Sequence, residues 1–332
     1  MDRIRLLIVD DSFLVQEILK DIFSSDPEIE VVGTAENGKE GVEKVLELKP
    51  DFVTMDINMP VMNGLEAIDR IMAEYSVPIL VVSSINDAKV AFSACAKGAM
   101  DVFSKTDVDP EKSEKLISKV KQLARVKVIG HTKPAAEPPP PPREEKAEYA
   151  KVIAVACSTG GPKALSAILP ELPSSFPHPI VVAQHIEDGF LSGLVGWLNQ
   201  LSPLPVEEGM QGMKLAGGKI YVSPSERHME VDAAGRIGFV ERKPNDSYRP
   251  CCDILLSSVA RSFGKNGVGV ILSGMAQDGV KGMQQIKGSG GITVAQDEKS
   301  SVVFGMNNLA IKAGCVDKVL PLREIGKFLA GL

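Results

Sequence analysis

The sequence predicts an α/β protein of two doubly wound, mainly parallel domains. Three observations support this fold class. In both halves of the chain, short apolar runs rich in β-branched residues alternate with segments of helical periodicity. Charged or hydroxyl side chains directly follow several of the apolar runs, as at the C-terminal ends of parallel strands. A proline-rich stretch at 127–150 separates two segments of ordinary domain length, 1–126 and 151–332.

Composition limits the classes of function. The 332-residue chain is 44% apolar and 24% charged, as globular proteins are, and its net charge of -6 argues against a general nucleic-acid binder. No apolar run reaches the roughly 18 residues of a membrane span, and the first residues do not form a signal peptide. The five cysteines match neither a zinc motif nor a disulfide framework. We therefore expect a cytoplasmic protein that binds no nucleic acid and has no membrane insertion.

The first half alternates five predicted strands with five predicted helices. The predicted strands are 4–9, 31–34, 52–55, 79–82 and 102–103. The predicted helices, with apolar residues at three- and four-residue spacing, are 13–23, 39–48, 65–73, 88–97 and 111–124. This alternation predicts a parallel sheet with its functional site at the C-terminal ends of the strands.

Polar side chains mark the ends of four of these strands. Asp10 and Asp11 follow the first strand, Asp56 the third, Ser83 the fourth and Lys105 the fifth. Because parallel strands end at one edge of a sheet, the three carboxylates should converge there and need a balancing divalent cation. Oxygen ligands favour Mg²⁺, and a neighbouring hydroxyl and ammonium suit a transferred phosphoryl group.

Residues 4–125 resemble a two-component receiver domain, which has a flavodoxin-like fold. The resemblance rests on IVDDS at 8–12, MDINMP at 55–60, VSS at 82–84 and FSK at 103–105. It implies that Asp56 accepts a phosphoryl group from a cognate histidine kinase. The other residues that it implies are Asp10, Asp11 and the main-chain carbonyl of Asn58, which with Asp56 would bind Mg²⁺, and Ser83 and Lys105, which would bind the phosphoryl oxygens.

Two positions depart from the receiver pattern. Thr106 stands where receivers usually have a cis-proline, and Val102 stands where many have a switch aromatic. Phe103 comes one residue later and should face the other side of its strand. The resemblance therefore implies phosphorylation more directly than it implies an aromatic readout.

The stretch between the two halves is rich in proline. It contains Pro134 and the run 138–142, followed by the charged segment REEKAE. Such a stretch predicts a semi-rigid polyproline spacer, and a docking site for a proline-recognising partner is the alternative.

The second half again alternates strands with helices. The predicted strands are 152–156, 180–183, 219–222, 237–240, 267–272 and 292–295. The predicted helices are 163–169, 190–201, 254–263 and 280–287. We expect a mainly parallel sheet, with room for an antiparallel hairpin around 219–240.

The tight turn after the first of these strands carries Ser158. Its context, A-C-S-T-G-G, resembles the nucleophile elbow G-x-S-x-G with Ala156 in place of the first glycine. A serine there would project beside the free N–H groups of a helix N-terminus, which can stabilise an oxyanion. A phosphate-cradling turn, or merely a tight one, is the alternative.

A base and a carboxylate for Ser158 are available at other strand ends. Of the four histidines, His185 alone ends a buried strand, whereas the others lie in the proline-rich stretch, between prolines and in a polar turn: His131, His178 and His228. Asp278 lies in the turn after 267–272, and Asp297 is a competing carboxylate after 292–295. His185 would take the proton of Ser158, and Asp278 would fix its tautomer. The order Ser, His, Asp differs from that of the α/β-hydrolases.

Residues 151–332 resemble the Rossmann-like catalytic domain of the chemotaxis receptor methylesterases, the CheB family. The matching pieces are ACSTGGP at 156–162, VVAQH at 181–185, YVSPSERHM at 221–229, SGMAQDG at 273–279 and GGITVAQDE at 290–298. The resemblance implies a catalytic triad of Ser158, His185 and Asp278, with an oxyanion hole at the N–H of Met275 and around Thr159. It implies hydrolysis of γ-glutamyl methyl esters on chemoreceptor cytoplasmic domains, often with glutamine deamidation. It also implies that the esterase reaction needs no cofactor. It also implies that the unphosphorylated receiver covers the active-site mouth.

Three departures lie near the implied triad. Ile186 and Glu187 stand where the family usually has Met-Pro, Asn307 stands where it has proline, and Cys157 precedes the nucleophile. The triad itself is unchanged, so we expect the chemistry to survive and the rim of the site to differ.

Other functions account for parts of the sequence. A DNA-binding output domain often follows a receiver, but the second half alternates strands with helices and lacks a basic recognition helix. A dinucleotide-binding domain could use GVGVIL at 267–272, but those glycines lie within the strand rather than after it. A non-catalytic regulator that keeps the esterase fold stays open.

Overall fold

The computed structural model describes residues 3–109, 113–126, 149–244 and 246–332. The chain divides into two compact units between residues 135 and 136. Most of the predicted proline-rich spacer, at 127–148, lies outside the described residues, as do residues 111–112 of a predicted helix. Within the described ranges, no helix is long and apolar enough to span a membrane.

The first unit is a five-stranded parallel sheet with the strand order β2-β1-β3-β4-β5. The strands are β1 (Ile4–Val9), β2 (Ile29–Ala35), β3 (Phe52–Met55), β4 (Ile79–Ser83) and β5 (Asp101–Ser104). The helices are α1 (Phe13–Ser24), α2 (Gly38–Leu48), α3 (Gly64–Glu74), α4 (Ala88–Lys97) and α5 (Ser113–Leu123). The strand order reverses at β1 and β3, so a crevice opens at their C-terminal ends.

The helices of this unit start where polar side chains replace the missing backbone partners. Ser12, Asn37 and Asn63 each cap a helix by accepting a backbone N–H from its first turn. The strands β3 and β4 are buried throughout and β1 is buried from Leu6 to Val9, which explains why these strands are mainly apolar. The predicted α/β fold class is confirmed for this unit.

The second unit contains a seven-stranded sheet in which every pairing is parallel, with the order β14-β13-β12-β6-β7-β9-β8. Its strands are β6 (Val152–Cys157), β7 (Ile180–Gln184), β8 (Val206–Glu208), β9 (Ile220–Val222), β12 (Gly267–Ile271), β13 (Ile292–Gln296) and β14 (Lys318–Leu320), and a separate pair is β10 (Arg227–Val231) and β11 (Ile237–Glu241). The helices are α6 (Gly161–Ile168), α7 (Leu191–Leu201), α8 (Cys252–Phe263), α9 (Val280–Gly288), α10 (Met306–Lys312) and α11 (Leu322–Ala330).

The expected hairpin around 219–240 is partly wrong. The first strand of that region, β9, pairs in parallel with β7 and β8 and belongs to the main sheet. The antiparallel pair is β10 with β11, so His228 lies in a strand and not in a polar turn. The hairpin packs on α8, where Val231 donates its N–H to Ser258 Oγ at 3.0 Å and accepts the hydroxyl of Ser262 at 2.8 Å. Tertiary packing therefore decides this region.

The glycines at 267–272 serve packing rather than phosphate binding. Gly269 lies inside β12, and a Cβ there would come within 2.7 Å of Met283 Sδ and 2.8 Å of Ile286 Cδ1. The absent side chain lets α9 pack closely on the sheet. This removes the structural basis for a dinucleotide-binding loop.

The middle of the main sheet brings three chain segments together. β6 lies between β12 and β7, with Ala156 beside Ile271 and Cys157 beside Gln184. The turns that follow these three strands therefore meet at one edge of the sheet.

Candidate functional site

The turn after β6 holds Ser158 at this edge. Gly160 adopts φ 79°, and a Cβ there would lie 2.5 Å from Val302 Cβ. Ser158 donates its backbone N–H to the carbonyl of Ser273 at 3.0 Å, which ties the turn to the segment after β12. The tight turn into α6 thus needs glycine and fixes the serine backbone.

Gln184 braces the same turn from β7. Its amide nitrogen donates to the carbonyls of Ser158 at 2.9 Å and His185 at 2.8 Å. A Cβ on Gly161 would come within 2.0 Å of the side-chain oxygen of Gln184, Oε1, so only glycine fits there. The two strand ends that carry Ser158 and His185 are therefore locked together.

The three predicted catalytic side chains form one hydrogen-bonded row. Ser158 Oγ lies 3.1 Å from His185 Nδ1, and His185 Nε2 lies 2.8 Å from Asp278 Oδ2. The His185 ring stacks on Tyr248, with ring centres 5.2 Å apart and planes 7° from parallel. Because an ionised carboxylate only accepts, neutral His185 carries its proton on Nε2, which leaves the Nδ1 lone pair facing the serine.

Asp278 is buried and held by several donors. Burial would raise its pKa, but hydrogen bonds from His185 and from the backbone N–H groups of Asp253 and Cys252 lower it below its usual value. Those N–H groups, at 2.8 and 2.6 Å, belong to the first turn of α8. The positive end of a helix thus stabilises the ionised carboxylate.

The competing carboxylate lies elsewhere. Asp297 Oδ1 accepts the backbone N–H of Ser300 at 3.1 Å and the Ser300 hydroxyl at 2.5 Å, and so closes the turn after β13. The carboxylate that contacts His185 is Asp278.

The segment after β12 lies against the serine. A Cβ on Gly274 would come within 2.7 Å of Ser158 Cβ, and Gly274 is fixed by backbone hydrogen bonds to Val303 and Met306. Within the described part of the chain, the backbone N–H groups of Met275 and Thr159 donate to no other residue. Both N–H groups are therefore available to a substrate oxygen.

The first unit brings its predicted acidic residues together. Ligand atoms of Asp10, Asp11 and Asp56 all lie within 4.8 Å of one another. Lys105 Nζ lies 2.7 Å from Asp10 Oδ2 and 2.9 Å from Asp56 Oδ2. The all-oxygen donor set fits Mg²⁺.

Burial dominates the electrostatics of Asp56. It raises the pKa of this carboxyl to about 6, and although Lys105 lowers it, the neighbouring Asp10 raises it further. The carboxylate is therefore costly to ionise even beside Lys105, and a bound divalent cation would offset that cost.

The other predicted receiver residues differ in their surroundings. Ser83 ends β4 with a buried hydroxyl that has no partner among the described residues, as expected of a group that awaits a ligand. Asn58 is exposed in the loop after β3. Thr106 bonds to Ser104, with their hydroxyl oxygens 2.6 Å apart. Phe103 faces α5, where Lys119 Nζ lies 5.9 Å from its ring centre.

Comparison with known families agrees with both units. Residues 153–329 match the family model of the CheB methylesterase domain, and residues 6–121 match that of the response regulator receiver domain. This chain belongs to the CheB methylesterase family. The resemblance seen in the sequence is thereby confirmed.

Relatives of this chain in the CheB family span its whole length. A protein-glutamate methylesterase/protein-glutamine glutaminase of Paramagnetospirillum magneticum is 46% identical over 338 residues, which covers 98% of this chain and 95% of that protein. One from Pyrococcus abyssi is 38% identical over 340 residues, with 97% and 92% covered. The crystal structure of the Thermotoga maritima CheB methylesterase catalytic domain is similar, with a TM-score of 0.52, 36% identity, and 55% of this chain and 97% of that domain covered.

One departure from the CheB pattern is not at the rim. Asn307 is fully buried, and its amide nitrogen donates to the carbonyl of Gln296 at 2.9 Å and to Ser301 Oγ at 2.8 Å. It therefore ties α10 to the end of β13 and to the loop that follows, and the expectation of a changed rim is wrong at this position. Ile186 and Glu187 lie half-buried directly after His185.

A second histidine lies near this CheB-type site, and the sequence did not predict a role for it. His228 is buried, with Nε2 2.9 Å from Asp246 Oδ2 and Nδ1 accepting the backbone N–H of Cys251 at 3.0 Å. The apolar residues Met229 and Val231, two positions apart in RHMEV, could have predicted the strand. No sequence pattern predicted that Tyr248 would stack on His185.

Proposed function

We propose that this chain is a phosphorylation-regulated protein-glutamate methylesterase. It hydrolyses γ-glutamyl methyl esters on the cytoplasmic domains of chemoreceptors, and it yields glutamate and methanol in the cytoplasm. The observation that carries the proposal is the row from Ser158 through His185 to Asp278, in a chain of the CheB family.

The first half of the reaction uses the row as nucleophile and base. Ser158 Oγ attacks the ester carbonyl carbon while its proton passes to His185 Nδ1. The imidazolium that forms keeps its Nε2 proton directed at ionised Asp278, which stabilises the positive charge. The tetrahedral oxyanion accepts hydrogen bonds from the backbone N–H groups of Met275 and Thr159.

The remaining steps release the two products and regenerate the enzyme. His185 first gives its Nδ1 proton to the methoxy oxygen of the ester, so methanol leaves and an acyl-serine remains. His185 then takes a proton from water, whose oxygen attacks the acyl carbon, and returns the proton to Ser158 Oγ. The product is the glutamate side chain of the receptor.

The same acyl-serine would form from a glutamine side chain with ammonia as leaving group. The names of the relatives include protein-glutamine glutaminase. We include receptor glutamine deamidation as a second reaction of this site, since the difference lies only in the group that His185 protonates.

The receiver regulates the esterase through phosphorylation. A cognate histidine kinase transfers a phosphoryl group to Asp56, and Asp10, Asp11, Asp56 and the carbonyl of Asn58 would hold Mg²⁺. Bound Mg²⁺ supplies charge neutralisation for the transfer. Lys105 and Ser83 bind the phosphoryl oxygens, and the buried unpartnered hydroxyl of Ser83 supports this role.

Methanol release from methylated receptor membranes tests the proposed activity. Ser158→Ala should lose nearly all activity, by roughly 10⁴-fold or more, because nucleophile and base act as a unit. Cys157→Ser is the matched control, since this thiol is fully buried and burial raises its pKa far above the usual range. It should keep most of the activity. Methanol release by Ser158→Ala, or an inactive wild-type protein that is folded and phosphorylated, would contradict the proposal.

A further inference from the structure

Two thiols lie behind the catalytic row, on the side of the His185 ring that faces Asp278. Cys252 Sγ is 3.5 Å from His185 Nε2, and Cys251 Sγ is 3.2 Å from Asp278 Oδ1. The esterase mechanism uses neither thiol. Ligand atoms of His185, Cys252 and Asp278 all lie within 4.8 Å of one another.

We propose that His185 Nε2, Cys252 Sγ and Asp278 Oδ2 form a zinc site that reversibly inhibits the esterase. Imidazole, thiolate and carboxylate are the protein ligands that Zn²⁺ takes. Zn–N bonds of about 2.0 Å and Zn–S bonds of about 2.3 Å at a tetrahedral angle place the two ligand atoms about 3.5 Å apart. The 3.5 Å between Cys252 Sγ and His185 Nε2 meets this requirement. The 2.8 Å between His185 Nε2 and Asp278 Oδ2 must open to about 3.3 Å, the separation that two bonds of about 2.0 Å at a tetrahedral angle give. Water fills the fourth position, as in open zinc sites.

Zinc binding at the cluster requires proton release. Burial raises the pKa of Cys252 well above its usual value, and the negative charge of Asp278 raises it further, so the metal has to displace a firmly held thiol proton. Burial likewise raises the pKa of Cys251 to about 12. Zn²⁺ would replace two protons, that of the Cys252 thiol and that on His185 Nε2. Zinc, thiolate and carboxylate then sum to zero charge, which suits a buried site.

Exposure decides where an ion would enter, and thiol direction decides which sulfur it would bind. Cys252 and Asp278 are buried, whereas the His185 side chain is 13% exposed, so the ion would enter past His185. Cys157 is fully buried and directs its thiol at the carbonyl of Ala183, 3.8 Å away. We therefore assign Cys252, and not Cys157, as the sulfur ligand.

Zinc at this place would stop the proposed reaction. A metal on Nε2 makes Nδ1 a much weaker base, and it takes up the negative charge of Asp278 that otherwise stabilises the imidazolium. Ser158 then has no group to receive its proton. The inhibition rests on the proposed function, whereas metal binding at the cluster does not.

Metal binding is tested with Co²⁺ and the untagged full-length protein, in excess Mg²⁺ that occupies the receiver carboxylates. We expect one thiolate-to-cobalt charge-transfer absorption that Zn²⁺ abolishes. Cys252→Ser should lose it. Cys315→Ser, which changes another buried thiol of the same unit, should keep it. Wild-type protein without the absorption overturns the proposal even where Cys252→Ser does not fold, and so does an unchanged absorption in folded Cys252→Ser.

Inhibition is measured by zinc titration of methanol release, with each variant compared to its own metal-free rate. Zinc should inhibit wild type and Cys315→Ser, a chelator should restore the rate, and Cys252→Ser should need at least about tenfold more zinc. Equal zinc sensitivity of Cys252→Ser and wild type overturns the proposal. A metal-free wild type without activity contradicts the esterase function instead and leaves the cobalt result to decide the metal site.

Discussion

His228 Nδ1 accepts the backbone N–H of Cys251 at 3.0 Å, directly before the helix turn that holds Asp278. The next two N–H groups of that turn bind the Asp278 carboxylate at 2.6 and 2.8 Å. The other nitrogen of His228 lies 2.9 Å from Asp246, which fixes the tautomer. A second histidine–carboxylate pair thus positions the helix end that positions the carboxylate of the catalytic row.

His228→Ala should lower kcat for methanol release by about tenfold and leave KM nearly unchanged, because it loosens Asp278 and touches no substrate. His228→Gln, which can still accept the N–H of Cys251, should recover part of the rate. The control is His178→Ala, a buried histidine that precedes β7, away from the active-site edge. Equal losses of kcat in the two alanine variants would show a general packing effect and refute the positioning role.

Asp278→Asn should lower kcat by about 10⁴-fold, because an amide cannot stabilise the imidazolium and favours the wrong tautomer. Asp297→Asn changes a carboxylate directly after the neighbouring strand β13, where, among the described residues, it accepts hydrogen bonds from Ser300. It should stay within a few-fold of wild type in the same steady-state assay. The reverse result would move the third member of the row to Asp297.

Asp56→Asn should stabilise the receiver against unfolding near pH 8. The folded pKa of Asp56 is raised to about 6, so its stabilising contribution is present below pH 4 and is lost as pH rises through 6. A neutral isostere avoids this loss, and we expect a gain on the order of 2 kcal/mol at pH 8 that vanishes near pH 4. Calorimetry of the receiver transition measures it. Mg²⁺ should stabilise wild type far more than the variant, and equal stabilisation would argue against a metal at Asp56.

Removal of the receiver tests the expectation, taken from the family resemblance, that the unphosphorylated receiver covers the active-site mouth. Residues 149–332 alone should release methanol faster than the unphosphorylated full-length protein, and a small phosphodonor should raise only the latter. The fragment should keep Tyr149, because its ring packs on the core of the catalytic unit. If removal of the receiver lowered activity, the receiver would be an activator or a docking module.

Much of both sites follows from one rule, that the parallel strands of a sheet end at the same edge. It predicted that Ser158, His185 and Asp278 would meet at one sheet edge, and that Asp10 and Asp56 would meet at another, because consecutive parallel strands end on the same side. The structure places each of these side chains together, and their chemical roles stay predictions for the experiments above. The apolar pattern of the strands and the residues of the following turns are sufficient to predict which side chains lie at these edges.

The two α/β units, the strand-end residues and the family were therefore predictable from the chain alone, since apolar periodicity, glycine turns and motif spacing are local properties. Tertiary packing was needed to show that Asp278, and not Asp297, contacts His185, that the side chains of His228 and Asn307 are buried, and that Cys252 lies beside His185. These contacts join segments that are far apart in the chain, 93 residues in the case of His185 and Asp278. Which of several polar residues at a sheet edge touch depends on strand order and on how close the backbones approach, and no local pattern specifies either.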